Sequence, residues 1–332
     1  MPFYIIRDDV TNLKVDAIVN AANTELREGG GVCGAIFEKA GREKLAKACE
    51  LVSPIKTGQA VVTPAFDLPA AFVIHTAGPR WQGGSQGEVE LLKASYRNSL
   101  KLAEQHQLNR VAFPLISSGI YGFPKELAFQ IARDTIEDFI ETSELTVYLV
   151  LFDRQAVKIS EDLKLDIERF IDEQAVHHIE KRFKRSIQET REESTISFND
   201  LPTLESARRS TLDDLLNEVE EPFAEKLFRL IDESGLTDPE VYKKANLDRR
   251  LFSKIRSNPN YQPKKSTALA LAIALELPLE ETQELLGAAG FTLSKSTKMD
   301  LIVEYFIRES RYDIYTVNEV LFAYHQPLLG TF

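Results

Sequence analysis

The residues equipped for chemistry cluster in a few short stretches. Asn20 and Asn23 bracket two alanines at the end of an apolar run, Val15 to Val19. Gly29-Gly30-Gly31 and Val32-Cys33 follow, and then a small-residue helix with Ala35, Ile36 and Phe37. Strand, polar turn, glycine-rich loop and helix is the order that presents backbone N–H groups to an anion. Glycine serves there because a side chain would keep the backbone at a distance. Cys33 sits at a helix start, where a thiol pKa falls, yet no histidine is near it in sequence to act as a base. Small-residue packing accounts for it equally well. A second small-residue loop runs Ser117-Ser118-Gly119-Ile120-Tyr121-Gly122-Phe123-Pro124.

The elements that must position these loops read as an alternation. Strands are expected at Phe3–Ile6, Val15–Val19, Gly58–Thr63, Phe72–His75, Arg110–Ile116 and Thr146–Phe152. Helices are expected at Gly34–Leu51, Glu88–Gln105, Glu126–Ile140 and around Leu163–Phe170. Such alternation predicts a parallel or mixed sheet covered on both faces. Ligands bind such sheets beyond the carboxyl ends of the strands, and both glycine loops follow strand ends.

With 332 residues the chain has room for two domains. A net charge of −11 argues against coating nucleic acid by bulk charge. Two cysteines, Cys33 and Cys49, exclude a disulfide framework, and with five histidines in no ligating pattern no metal site is expected. No apolar run reaches membrane-spanning length and the N-terminus lacks a signal-peptide pattern, so a cytoplasmic setting is expected.

The stretches quoted resemble the macro domain, a family that binds ADP-ribose. The resemblance covers residues 1–172 and implies a three-layer α/β/α fold around a mixed sheet. It implies ligand-binding roles in the family's order. Asp9, with Val10 beside it, would accept from the adenine amino group, although capping a turn is its other reading. Gly30, Gly31, Val32 and Cys33 would line the diphosphate, with Asn23 on the distal ribose. For Asn20 a ribose contact and a structural turn stand level. Ser118, Gly119 and Ile120, preceded by Ser117, would clasp the diphosphate from the opposite side. Tyr121 would flank the distal ribose and Phe152 the adenine face. His75 reads as a satisfied buried residue. The activity implied is hydrolysis of ADP-ribosyl esters on protein or of O-acetyl-ADP-ribose, with Asn23 and Tyr121 as the catalytic pair and no cofactor. One departure bears on this. The well-known hydrolases carry an Asp directly after the G-G-G-V run, and Cys33 occupies that position here. Virus-type macro domains also lack that Asp. A sensor that binds without catalysis is the alternative.

Residues 173–221 are charged and polar, with acidic residues in excess, and read as a linker. Residues 222–332 read as all-α. Basic residues gather at Lys243, Lys244, Arg249, Arg250, Lys254, Arg256, Lys264 and Lys265. The run from Gly235 to Lys265 resembles the helix-turn-helix of phage-repressor-type DNA-binding domains. That resemblance places Arg249, Arg250, Ser253 and Lys254 toward duplex DNA, and the four remaining lysines on phosphates. A protein-binding helical module is the other reading. The partners expected are thus ADP-ribose or an ADP-ribosylated protein, and DNA or a protein at the helical domain, with no membrane.

Overall fold

The structure, a computed structural model, describes residues 2–151, 157, 160–174 and 221–330. Phe152, expected on the adenine, and nearly all of the expected linker lie outside the described residues.

Six strands form one sheet: β1 (Phe3–Ile6), β2 (Ala17–Ala22), β3 (Ala60–Pro64), β4 (Phe72–Ala77), β5 (Arg110–Pro114) and β6 (Thr146–Val150). Their order is β1-β6-β5-β2-β4-β3. Every pairing is parallel except the antiparallel β3–β4 pair. The sheet is therefore mixed, and its strands alternate between two apolar faces, as period-two side chains require. Val19, Val111, Phe113 and Val147 point into one cluster, and Ile18, Ala112 and Val73 into the other.

Helices α1 (Val32–Ala40) and α2 (Arg42–Glu50) cover the second face. Helices α3 (Glu88–Gln105) and α4 (Lys125–Ile140) cover the first. The single helix expected over Gly34–Leu51 is two. Gly41 breaks it with φ +90°, a conformation that a Cβ disfavours, and an added Cβ would also crowd Asp67 at 3.1 Å. A helix over 161–174 (α5) follows β6. Its Ile167 is wholly buried in the core of the helical half, and the Phe170 ring stands 5.7 Å from that of Tyr305.

The helical half, expected to be all-α, begins with α6 (Phe223–Ser234), α7 (Asp238–Lys244), α8 (Arg249–Ser257), α9 (Lys265–Ala274) and α10 (Leu279–Ala288). In α9 every residue from Thr267 to Ala274 is buried, which makes it the central helix. The apolar segment after Ser294 folds as two helices, α11 (Lys298–Arg308) and α12 (Ile314–Ala323).

A charged linker predicts a loose tether, but the two halves pack closely. Phe322 of α12 is buried in the cluster that holds Phe3, Ile5 and Phe129, and the Tyr315 ring lies 6.0 Å from Phe3. Thus α12 joins α3 and α4 on one sheet face. Arg133 of α4 pairs with Glu137 at 2.8 Å and with Glu319 of α12 at 2.7 Å. The outer edge of β1 is closed by one side chain. Asn246 accepts from the Phe3 N–H at 2.6 Å and donates to the Phe3 carbonyl at 2.8 Å. Its amide takes the place of a neighbouring strand. Asn246 is fully buried and holds φ +54°, a left-handed conformation that asparagine tolerates better than most residues. The Tyr4 hydroxyl donates to the Gly330 carbonyl at 3.2 Å, and Gly330 packs against the Asn246 backbone.

Replacing Asn246 by alanine leaves a buried N–H and a buried carbonyl unpaired, each a loss of about 1–3 kcal/mol. We expect Asn246→Ala to destabilise the full chain by about 2–4 kcal/mol in chemical denaturation. A change under a few tenths would show that water replaces the clip.

Candidate functional site

Parallel pairing sets the site. Because β2 is flanked by β4 and β5, both parallel to it, the loops leaving their carboxyl ends emerge at one end of the sheet. These are residues 23–31, 78–87 and 115–124. The first and third approach closely. A Cβ added at Gly30 would meet the Ile120 Cδ1 at 3.0 Å. Ile120 is 77% exposed and Val32 is 37% exposed, so apolar side chains line the opening instead of filling the sheet core. Gly31 caps α1 with φ +64° and no side-chain cap, leaving the helix's first N–H groups open.

Asn23 is half-buried on the first loop. Its Nδ2 donates to the Arg27 carbonyl at 2.8 Å and its Oδ1 accepts from the Arg27 N–H at 3.1 Å. That clip rounds off the loop and leaves one N–H and one lone pair for a ligand. Asp9 caps the short 3-10 turn Val10–Asn12 by accepting from Thr11, and pairs with Lys39 at 3.0 Å. Burial acts to raise its pKa, but the Thr11 hydrogen bonds and the Lys39 charge outweigh this and hold it below the usual range. The capping role read from sequence is therefore present. Val10 is buried beneath it.

Asn20 lies within β2, not at its end, and is wholly buried. Its Nδ2 faces His75 Nδ1 at 3.1 Å and the Cys33 sulfur at 3.6 Å. An amide nitrogen only donates, so Nδ1 accepts and the ring proton sits on Nε2, which faces Thr63 Oγ1 at 2.9 Å. Among the described residues its Oδ1 is buried with no hydrogen-bond partner, and the side chain makes no turn contact. Ser117 is buried at φ +65° against Gly78, where an added Cβ would strike its Oγ at 2.3 Å. Ser118 Oγ donates to the Leu115 carbonyl at 2.8 Å. Tyr121 is partly exposed, and its carbonyl accepts from the Trp81 N–H at 2.9 Å.

Cys33 is buried, and burial pushes its thiol pKa up despite its place at a helix start. It is therefore a poor nucleophile. Burial likewise pulls His75 down to about 4, so it is a neutral strut near pH 7 and no proton carrier. Among the described residues no group of three or more His, Cys, Asp or Glu is placed to hold a metal. No described helix is long and apolar enough to cross a membrane.

Sequence reasoning assigned no role to the loop from Arg80 to Gly87. Buried Glu88 accepts from the N–H groups of Gln82 (3.0 Å), Gly84 (3.1 Å) and Gln86 (2.6 Å). Gly83, Gly84 and Gly87, all at positive φ, were the available signal.

The side chains expected on DNA divide into two groups. Arg249, Arg250, Ser253 and Lys254 are exposed along α8. Three of the four lysines expected on phosphates are already engaged. Lys243 donates to the Glu141 carbonyl at 2.8 Å, Lys244 pairs with Glu276 at 3.1 Å, and Lys265 with Asp300 at 2.5 Å. Arg256 pairs with Asp238 and lies 4.1 Å from the Phe228 ring centre.

His75 yields a test of this geometry. A folded pKa near 4, below the unfolded value of 6.5, means that the unfolded chain binds the extra proton first. Its contribution to stability is whole above pH 6.5 and is lost as pH falls toward 4, about 3 kcal/mol in all. NMR of the folded chain should show the His75 ring titrating only near pH 4. Titration near 6.5 would contradict its burial.

The model of the family described as "Macro domain" matches residues 19–132. A macro domain-containing protein of Ralstonia nicotianae is 55% identical over 133 residues, which span 40% of this chain and 77% of that protein. A Salmonella newport protein named O-acetyl-ADP-ribose deacetylase is 48% identical over 161 residues, 47% of this chain and 89% of its own length. A solved Oceanobacillus iheyensis macrodomain with ADP is 41% identical, with a TM-score of 0.45, covering 50% of this chain and 91% of that one. Through its N-terminal half, this chain belongs to the macro domain family.

Proposed function

We propose that the chain binds ADP-ribose at the trough between the loops after β2 and β5, and hydrolyses esters of its distal ribose. The observation that carries this is the facing of two glycine-rich loops, separated at Gly30 and Ile120 by little more than a side-chain contact. Backbone N–H groups of Gly30, Gly31 and Val32 on one side, and of Ser118, Gly119 and Ile120 on the other, suit a diphosphate. The O-acetyl-ADP-ribose deacetylase name of a relative 48% identical over 161 residues supports the same chemistry.

In the reaction, water adds across a carboxylate–ribose ester. The ribose keeps a hydroxyl and the acid departs as carboxylate. Asn23 would hold the ribose hydroxyls with its remaining N–H and lone pair, and Tyr121 would close the distal side. Cys33 contributes packing only. Charge that develops on the ester oxygen is met by fixed amide dipoles, which need no reorganisation. Asp9 would serve the adenine through its second oxygen, in competition with Lys39.

Calorimetry with ADP-ribose on the full chain should show one site, and single-turnover assays should show release of acetate from O-acetyl-ADP-ribose or of ADP-ribose from modified protein. Asn23→Ala should lower turnover by about 10²-fold. Binding without turnover at saturating enzyme reduces the protein to a sensor, and no binding removes the reading.

A second reading concerns the helical half. Among the described residues Arg249, Arg250 and Lys254 have no acidic partner, and they lie exposed on one helix with Ser253. That supports duplex DNA at α8, with protein binding as the alternative. DNA affinity should fall with salt, and Arg249→Ala with Arg250→Ala should weaken it by about tenfold or more. Affinity indifferent to salt or to both substitutions leaves only the protein-binding reading.

A further inference from the structure

The loop after β4 forms a built lip at the same end of the sheet as the proposed trough. Glu88 gathers three of its N–H groups. Trp81 is wedged between Phe123, 4.5 Å away ring to ring, and Gly84, where an added Cβ would meet the indole at 2.8 Å. The Trp81 N–H bonds the Tyr121 carbonyl, tying the lip to the third loop. On this fixed support Arg80 lays its guanidinium 4.9 Å from the centre of the Tyr121 ring. A cation over a tyrosine face is attracted by the ring quadrupole, which holds the side chain without neutralising it. Arg80 is exposed, and among the described residues it has no acidic partner. Elsewhere on this half Arg42 pairs with Glu28, and Arg133 pairs with Glu137 and Glu319. An unpaired, oriented fork suits a carboxylate arriving from outside.

We propose that Arg80 is a specificity-determining residue that reads carboxylates flanking the modified side chain, so that the substrate class is ADP-ribose esterified to an acidic stretch of protein. This rests on the reading that Tyr121 flanks the distal ribose. The ester then lies beside Tyr121, and whatever carries the acyl group leaves the trough past Arg80. A small acetyl group ends short of the guanidinium. A protein chain passes it, and acidic neighbours gain a charge-assisted contact that neutral neighbours lack.

The test uses the full chain and two synthetic peptides ADP-ribosylated on a central glutamate, one flanked by Asp and Glu and one by Asn and Gln. ADP-ribose and O-acetyl-ADP-ribose serve as controls. Wild type should favour the acidic peptide by about fivefold in KM, or in Kd where turnover is absent, the scale of one exposed ion pair. Arg80→Ala should abolish that preference and Arg80→Lys should keep part of it. Neither should alter the Kd of ADP-ribose. Raising salt should shrink the preference. Equal affinity of wild type for the two peptides overturns the proposal. So does a preference that survives Arg80→Ala, or a loss of ADP-ribose affinity in that variant, which would place the guanidinium on the nucleotide. If wild type binds no ADP-ribose, the proposed function falls and this proposal falls with it. If ADP-ribose binds and the peptides are not distinguished, only the role of Arg80 falls.

Discussion

Parallel hydrogen bonding on both sides of β2 is the constraint on which the rest of the macro half depends. Ala17 to Ala22 pair in register with Phe72 to Ala77, and Ala17 and Ile18 pair with Val111 and Ala112. A parallel register sends consecutive strands out at the same end, so three loops distant in sequence must meet there. Had β5 been antiparallel, its following loop would emerge at the far end and the two glycine turns would never face each other. The buried His75 secures this arrangement from within. It links Asn20 of β2 with Thr63 of β3, spanning three strands across one sheet face. A polar chain of this kind resists slippage because a one-residue shift would leave each member unpaired in the core.

Much of this was legible in the sequence for a physical reason. Buried strands announce themselves as β-branched runs, and loops that must approach an anion need glycine. The strands and the two facing loops were read from those signals. Other features have no local signature. The break at Gly41 depends on a single glycine within an otherwise helical run. Asn20 looked like a residue at a strand end because β2 continues past the apolar run, through Asn20 and two alanines. The lysines at 243, 244 and 265 looked free because their partners, Glu141, Glu276 and Asp300, lie on other elements. Asn246 was the least legible residue of all. In sequence it is a turn asparagine between two helices. Its partner is Phe3, 243 positions away.

That last contact changes what the helical half is for. An edge strand with open N–H and carbonyl groups is a template for unwanted pairing. Here the edge is closed by a side chain from the turn that directly precedes α8, while α12 covers the face of the same strand. The basic helix is thereby fixed to the amino end of β1. The glycine loops leave the carboxyl ends of strands parallel to it. The proposed trough and the exposed face of α8 thus sit toward opposite ends of one sheet. A charged linker in sequence does not imply independent domains when the residues beyond it bury themselves in the first domain's core.

The chemistry at the loop end must also be squared with the residues available. A positioned general base contributes about 10²–10⁴-fold to a rate, and neither candidate near the trough serves as one. Cys33 is buried with its thiol pKa raised, and His75 is held neutral with both ring nitrogens occupied. What remains is geometry and fixed dipoles: open N–H groups at the α1 N-terminus, the amides of the third loop, and an Asn23 whose orientation is set by two hydrogen bonds to Arg27. Preorganised donors of this sort are each worth about 10²–10³-fold. In the proposed reaction they would hold a substrate whose own phosphate and hydroxyl groups keep a water in line. Such a site favours tight binding and slow turnover over fast chemistry. A slow enzyme would gain most from selecting its substrate before the chemical step, and that is the part proposed for Arg80 on its rigid lip.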